Sequence, residues 1–207
     1  MTQLDINSIK NYINDANMID SGKEVDVYSY DDKVIKIFHK ERKTNVHRIN
    51  DEGLKVLSYL PLQVFNKPID LIYDKNDIIG YTENKLSEEE LDKDHINYDE
   101  IYNDIVLLSL NGFRIEDIFY NYIYSNNRLY FTDLTCFDYI NTDNAYVKKL
   151  CYYHNIEKIN IFLIGLLQFD AFKKDEKNEY TKIYKANRYR LDNHINEYYG
   201  DYVSKNI

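Results

Sequence analysis

The spacing of apolar and polar residues changes its period several times in the first part of the chain. Apolar residues recur at helical spacing over residues 4–19, which predicts a short leading helix. Ser21-Gly22 interrupts this pattern, and from Val25 the period becomes two. A period of two over residues 25–38, with a turn at Asp31-Asp32, predicts a β-hairpin.

A helix and a second pair of strands are predicted next. Residues 52–60 carry apolar residues along one helical side. Residues 69–73 and 77–86 read as two strands joined by a turn at residues 74–76. These elements together predict a small antiparallel sheet with one helix packed on it.

The second part of the chain has helical spacing. Residues 98–110 are apolar over most of their circumference, which predicts a central helix that ends at Asn111-Gly112. Further helices are predicted at residues 147–153 and 159–169. The acidic segment at residues 87–94 has no apolar period and is typical of a linker or of the solvated start of a helix.

We therefore place a linker at residues 87–97. It separates a first lobe, residues 1–86, from a second lobe, residues 98–207. The terminal segment, residues 175–203, has a period near 3.6 and a basic face made of Lys173, Lys174, Lys177, Lys182, Lys185, Arg188 and Arg190. Such a helix can touch a membrane surface or an acidic partner, but the interleaved Glu176 and Glu179 favour a solvated face.

Polar residues that could bind a metal ion or act in catalysis flank a predicted hairpin at residues 122–132. The turn of this hairpin is Ser125-Asn126-Asn127. They are Asp117, Asn121 and Asp133. Carboxylate and amide oxygens on strand ends suit Mg²⁺ and phosphoryl transfer. Asp and Asn are also ordinary turn formers, so a purely structural role stays open.

Lys36 lies inside the apolar run V-I-K-I-F. A lysine there is costly to bury unless its ammonium has an anionic partner. One interpretation is an edge-strand lysine that points to solvent and prevents aggregation. The other is a phosphate-binding lysine with Glu52 as its partner.

Composition narrows the classes of function. Of 207 residues, 44% are hydrophobic and 29% charged, which is typical of a globular protein. A net charge of −9 argues against binding of a nucleic-acid backbone. Any phosphate ligand must therefore be met by a few lysines or by a bridging metal ion.

The cysteine, histidine and hydropathy patterns indicate no further functional site. Cys136 and Cys151 lack zinc-site spacing and are expected to be free thiols in a reducing compartment. The histidines are scattered, at His39, His47, His95, His154 and His194. The N-terminus lacks a signal-peptide pattern, and the longest apolar run is too short to cross a bilayer. We expect a cytoplasmic protein without a transmembrane segment.

The order of the motifs is more informative than any one of them. In chain order they are Gly22 with Val27, V-I-K-I-F at 34–38, Glu52, I-I-G-Y-T-E-N-K-L at 78–86, N-G-F-R-I-E-D-I-F-Y-N at 111–121 and T-D-L at 132–134. This order resembles a minimal, divergent protein-kinase-like fold of bacterial type over roughly residues 19–170. The resemblance implies an α+β fold of two lobes: a small N-lobe with an antiparallel sheet and one helix, and a reduced, mainly helical C-lobe.

The resemblance also implies ATP and Mg²⁺ as cofactors, held by residues of both lobes. Gly22 and Val27 would cover the phosphates, and Lys36 would hold them while pairing with Glu52. Residues 82–86 would form the hinge strand that receives adenine; its cofactor-binding residues are Thr82, Glu83 and Asn84.

The second lobe would supply catalysis and the metal ligands. Asp117 would be the catalytic base, and Asn121 and Asp133 would bind the metal. Counting back from Asn121 by the family spacing gives Glu116, which stays an alternative base. Asn160 stands in the predicted buried helix where the family usually has Asp.

Departures from the family pattern leave two functions open. The phosphate loop keeps one glycine of three, Arg-Ile-Glu-Asp replaces His-Arg-Asp, and Leu134-Thr135 follows Asp133 in place of Phe-Gly. The resemblance implies an ATP- and Mg²⁺-dependent phosphotransferase that acts on a protein or small-molecule hydroxyl. The alternative is a pseudokinase, a nucleotide- or partner-binding regulatory module without catalysis.

Overall fold

A mixed six-stranded sheet and four helices form the framework of this computed structural model, which describes residues 3–22, 24–39 and 49–169. The strands are β1 (Gln3–Asp5), β2 (Met18–Ser21), β3 (Val25–Tyr30), β4 (Lys33–Phe38), β5 (Asp70–Asp74), β6 (Asp77–Asn84), β7 (Phe113–Arg114), β8 (Tyr122–Ser125), β9 (Arg128–Phe131) and β10 (Asp138–Tyr139). The helices are α1 (Ile6–Ile9), α2 (Asp51–Tyr59), α3 (Tyr98–Leu110) and α4 (Ala145–Phe169). The predicted basic helix at residues 175–203 lies outside the described residues, as do His47 and His194.

The large sheet has the order β1-β5-β6-β4-β3-β2. Strand β1 is parallel to β5, and every other neighbouring pair is antiparallel. The predicted hairpins at residues 25–38 and 69–86 are confirmed. The third predicted hairpin is also confirmed, because β8 and β9 pair through a turn in which Asn126 and Asn127 both have positive φ, as a tight hairpin turn requires.

The predicted leading helix at residues 4–19 is wrong, since only α1 is α-helical there. Strands β1 and β2 use their backbone groups to extend the two edges of the sheet. The Asp5 and Asn14 side chains accept hydrogen bonds from the backbone N–H groups of Asn7 and Ala16, so each caps a short turn. Local capping of this kind competes with a continuous helix.

The helices of the second part follow the apolar pattern more closely. The predicted helix at residues 98–110 is confirmed as α3, and Gly112 follows it with a φ of +79°. A side chain at Gly112 would also overlap the Ile140 carbonyl oxygen, so glycine is required there. The two helices predicted at 147–153 and 159–169 are one helix, α4. No Gly or Pro separates them in the sequence to end the first.

The main apolar core runs without a break from the sheet half (β1–β6 and α2) into the helical half (α3, α4 and β7–β10). Leu54 and Leu71 of the sheet half belong to the same buried cluster as Ile105, Phe131 and Phe162 of the helical half. A smaller cluster, which includes Ile9 and Ile35, lies under α1. No helix in the described segments combines the length and the apolar character of a membrane-spanning helix.

A buried carboxylate, that of Asp104 in α3, ties the two halves together. Its oxygens accept hydrogen bonds from the backbone N–H groups of Gln63 and Val64, both at 2.8 Å, and of Phe65 at 3.2 Å. Burial raises the pKa of Asp104, and these hydrogen bonds oppose the rise. Asp104 therefore fixes the connection that leads from α2 to β5.

Replacement of Asp104 by Ala should leave these backbone N–H groups without their acceptor. We expect the free energy of unfolding to fall by roughly 3 kcal/mol, since each unsatisfied buried donor costs about 1–3 kcal/mol. Urea denaturation measures the loss. Asp99→Ala, on an exposed position of the same helix, should cost less than about 1 kcal/mol; equal losses for the two variants would contradict the anchoring role.

Candidate functional site

A cleft of about 380 Å³ lies between the six-stranded sheet and the β8–β9 hairpin. Its sheet side carries the branched apolar residues Val25, Val27 and Val34, and the hairpin side carries Ile123. Six of the residues singled out in the sequence line it together: Val27, Lys36, Glu83, Asn84, Asn121 and Asp133. The cleft therefore gathers side chains that are up to about a hundred residues apart in the chain.

Lys36 lies in the interior of the sheet and not at an edge. Its strand, β4, pairs with β3 on one side and β6 on the other, and the residue is 8% exposed. Its Nζ lies 2.8 Å from Oε1 of Glu83. The interpretation of Lys36 as a solvent-facing edge lysine is therefore wrong.

The charge of Lys36 is maintained by its neighbours. Burial by itself lowers the pKa of the ammonium, but the Glu83 carboxylate, together with Tyr81 and Asp133, raises the pKa above its usual value. Burial raises the pKa of Glu83, and Lys36 opposes that rise. A buried Lys36–Glu83 ion pair with Asp133 close by is the electrostatic centre of the cleft.

Glu52 does not occupy the position expected for the partner of Lys36. It is exposed in the first turn of α2, where its Oε1 accepts a hydrogen bond of 2.8 Å from Nδ2 of Asn141. Glu83, and not Glu52, is the ion-pair partner of Lys36, because β4 and β6 are adjacent and in register. Val34 lies opposite Glu83 and Lys36 opposite Tyr81, so Glu83 and Lys36 share one face of the sheet.

Gly80 allows β6 to approach β4 beside Lys36. A Cβ atom at this position would overlap the backbone carbonyl oxygen of Lys36. Glycine in the middle of a strand often marks such a close backbone approach. Gly80 thus helps to place the Lys36–Glu83 pair, a role that the sequence pattern alone did not reveal.

Asn121 and Asp133 lie side by side at the open end of the β8–β9 hairpin. The backbone carbonyl of Asn121 accepts a hydrogen bond of 2.8 Å from the N–H of Thr132. The Cys136 thiol donates to Oδ2 of Asp133 at 3.6 Å and lies 4.0 Å from Nδ2 of Asn121. Hairpin pairing therefore brings the two predicted metal ligands together.

Asp133 has an unusual backbone conformation. Its φ is 54°, in the left-handed region that non-glycine residues seldom adopt and that is often found at functional sites. Its Oδ1 accepts a hydrogen bond of 2.6 Å from the Thr135 hydroxyl, which fixes the carboxylate. The described residues contain no group of three or more His, Cys, Asp or Glu arranged to hold a metal ion. Mg²⁺ is commonly held by one or two carboxylates together with substrate phosphates and water, and Asn121 with Asp133 fits that donor set.

The two candidate bases do not line the cleft. Asp117 is exposed, and its backbone carbonyl accepts a hydrogen bond of 3.4 Å from Asn121. Oε1 of Glu116 is in ion-pair contact with Nε of Arg114 at 2.6 Å, although the two atoms are not aligned as a hydrogen bond. Arg114 also binds Asp138 at 2.6 Å. Glu116 is thus part of a structural ion-pair cluster.

Two further predicted residues lie away from the cleft lining. The Gly22 N–H donates a hydrogen bond of 2.9 Å to the Val25 carbonyl in the turn between β2 and β3. Thr82 is fully buried on the other face of the sheet, where its hydroxyl donates to Asp70 at 3.1 Å. Of the predicted hinge, residues 83–86 line the cleft.

Sequence reasoning missed several lining residues. These are Ile19, Asp20, Val25, Val34, Asn66, Ile123 and Thr132. Val34 could have been identified, since it lies two residues before Lys36 and must share its face of the strand. Asn66 and Ile123 carry no such signal, because only tertiary packing brings their segments to the cleft.

Comparisons with known proteins give distant structural likeness only. No protein-family model and no curated protein matches the sequence. The structure of Legionella pneumophila Lpg2603 kinase bound to IP6 is similar at a TM-score of 0.41 and 17% identity, over 74% of this chain and 60% of that chain. A second structure of Lpg2603 kinase gives a TM-score of 0.32 and 14% identity, over 78% of this chain and 75% of that chain.

The chain therefore spans 60% of the length of the first of these structures. Similarity this low does not establish the fold or the function of this chain. The chemistry of the cleft rests on the residues that line it.

Replacement of Lys36 by Met should leave Glu83 buried without its cation. We expect the free energy of unfolding to fall by about 3 kcal/mol at neutral pH. Because burial raises the pKa of Glu83 above its usual 4.5, the folded variant holds a proton that the unfolded chain releases. The stability lost by the variant should therefore grow as the pH rises above 4.5 and shrink as the pH falls toward that value.

Urea denaturation of the wild type and of Lys36→Met at several pH values tests this expectation. Lys55→Met, at an exposed position in α2, is the matched control and should change stability by less than about 0.5 kcal/mol at every pH. A loss in Lys36→Met that does not vary with pH would show that Glu83 does not depend on this partner.

Proposed function

We propose that the chain is an ATP- and Mg²⁺-dependent phosphotransferase of the protein-kinase-like superfamily, which transfers the γ-phosphate to a protein or small-molecule hydroxyl. One observation carries the proposal: a single cleft is lined by Lys36 from the sheet half and by Asn121 and Asp133 from the helical half. A cation opposite an amide and a carboxylate is the combination that a metal-bound triphosphate needs.

The apolar lining supports a nucleotide as the ligand. Val27 and Val34 on one side and Ile123 on the other can enclose a planar base. Asn84 at the end of β6, and Lys85 and Leu86 after it, line the same cleft and would border the base. Lys36 would then meet the phosphates.

Asn121 and Asp133 would hold Mg²⁺ through their side-chain oxygens. Mg²⁺ bound between them and the phosphates would neutralise the charge that develops on the transferred group. The hydrogen bond from Thr135 holds the Asp133 carboxylate in one orientation.

We also propose that the chain divides into two lobes, residues 1–86 and residues 98–207, with a linker at 87–97. The sheet and α2 belong to the first range, and α3, α4 and the β8–β9 hairpin belong to the second. The cleft draws residues from both ranges, as an active site between two lobes would.

A second candidate function is a pseudokinase, a nucleotide-binding regulatory module without catalysis. The observation that favours it is the placement of the two candidate bases. Glu116 is paired with Arg114, and Asp117 is exposed outside the cleft lining. Binding and turnover must therefore be tested separately.

Nucleotide binding is tested by the thermal stability of the full chain with ATP and Mg²⁺. ATP at a hundred times its dissociation constant should add about 2.7 kcal/mol of stability. Lys36→Met and Asp133→Asn should each reduce this gain, and Lys55→Met should keep it. Absence of any gain in the wild type would refute both candidate functions.

Catalysis is tested by transfer of label from γ-labelled ATP to added protein or polyol acceptors, or to water. If Asp117 is the base, Asp117→Asn should lower turnover by roughly 10²–10⁴-fold and leave ATP binding unchanged. Glu116→Gln is the parallel variant for the alternative base. Binding without turnover in the wild type would favour the pseudokinase, and undiminished turnover in both Lys36→Met and Asp133→Asn would refute the assigned site.

A further inference from the structure

Asn66 connects the two walls of the cleft. The residue lies between α2 and β5, is 6% exposed and lines the cleft. Its Nδ2 donates a hydrogen bond of 2.9 Å to the backbone carbonyl of Asn84, at the end of β6. Its backbone N–H donates a hydrogen bond of 2.8 Å to the carbonyl of Phe131, at the end of β9. These bonds fix the orientation of the Asn66 amide between the sheet and the hairpin.

The other amide atom of Asn66, Oδ1, receives no hydrogen bond from any donor in the described ranges 3–22, 24–39 and 49–169. It is not one of the fully enclosed polar atoms that lack a partner in those ranges, so part of its surface is accessible. That small surface opens to the cleft that Asn66 lines. A ligand that displaces water from the cleft must replace the hydrogen bond at this acceptor, or binding loses free energy.

The position of Asn66 along the sheet restricts the part of a ligand that it can meet. Its partner Asn84 lies opposite Lys33, whereas Tyr81 lies opposite Lys36. Three residues of a strand span about 10 Å, so Asn66 contacts β6 well away from the register of Lys36. Phosphate oxygens that bind Lys36 are also acceptors and cannot donate to Oδ1. The matching group is therefore a neutral N–H or O–H donor on the remainder of the ligand.

We propose that Asn66 is a specificity-determining residue of the cleft, whose Oδ1 accepts a hydrogen bond from a neutral donor on the nucleoside part of the bound nucleotide. This inference rests on the proposed nucleotide-binding function. The donor is the exocyclic amino group of adenine or a sugar hydroxyl, which make the same bond to an amide oxygen. The amide cannot present its NH₂ group instead without losing the bond to Asn84. A ligand with an acceptor at this place is therefore disfavoured.

Calorimetric titration of the full chain in Mg²⁺ with ATP and three analogues tests the proposal and identifies the donor. Purine riboside triphosphate lacks the amino group, and 2′-deoxy-ATP and 3′-deoxy-ATP each lack one sugar hydroxyl. The wild type should bind one of these analogues about five-fold more weakly than ATP, as expected for the loss of one hydrogen bond between neutral groups.

Asn66→Leu, which removes the amide but keeps a side chain of similar size, should bring that five-fold ratio close to one. Loss of the bond to Asn84 affects ATP and the analogue equally and cancels in the ratio. Asn103→Leu makes the same change at an exposed position of α3, outside the cleft lining, and should keep the wild-type ratio.

Two results would overturn this inference and leave the proposed function intact. The first is that ATP binds but its affinity ratios to the analogues are the same in the wild type and in Asn66→Leu. The second is an equal loss of affinity for all four nucleotides in Asn66→Leu that disappears without Mg²⁺, which would assign Oδ1 to the metal ion. Absence of ATP binding in the wild type would refute the proposed function as well.

A measurement on the wild type keeps the test decisive if circular dichroism shows that Asn66→Leu is unfolded. In the chain labelled with ¹⁵N-asparagine, the side-chain amide resonance of Asn66 should shift more on saturation with ATP than with the analogue that binds more weakly. Equal shifts with all four nucleotides would contradict a hydrogen bond at Oδ1.

Discussion

Two opposite charges buried next to each other, Lys36 and Glu83, constrain the rest of the cleft. Neither charge is tolerable there alone, because burial destabilises the charged form of each. Their pairing requires β4 and β6 to be adjacent in the register that the sheet shows, with Gly80 allowing the close approach. Val34 of β4, and Val25 and Val27 of the neighbouring strand β3, lie on the same face of the sheet as this pair.

Buried hydrogen bonds hold the opposite side of the cleft. Asp104 fixes the connection before β5 to helix α3. Asn155 of α4 is fully buried and accepts a hydrogen bond from the Ile115 N–H at 2.8 Å, while it donates to Ser109 and to the Phe113 carbonyl. These contacts anchor the segment that leads to Asn121, so the hairpin presents Asn121 and Asp133 to Lys36 from a rigid base.

Local sequence patterns predicted most of the helices and strands, but not all of the residues that contact one another in the fold. The three hairpins, α2, α3 and the glycine after α3 follow from apolar periods and turn residues, which act over a few neighbours. The leading helix was predicted wrongly, because β1 and β2 instead form backbone hydrogen bonds with β5 and β3 at the two edges of the sheet. Glu52 and Thr82 were grouped with Lys36 because of their order in the chain. In the structure, Glu52 lies in solvent at the start of α2, and Thr82 lies on the face of the sheet away from the cleft.

The sequence by itself determined which residues could carry the chemistry: Lys36, Asn121 and Asp133, each recognisable from its neighbours. Only the tertiary structure decided which of the candidates meet, that Glu83 and not Glu52 pairs with Lys36, and that Asp117 and Glu116 lie away from the cleft lining. The physical reason is that strand register and helix packing are set by the sum of many long-range contacts. A local pattern fixes the face of a strand, but not the strand that lies beside it.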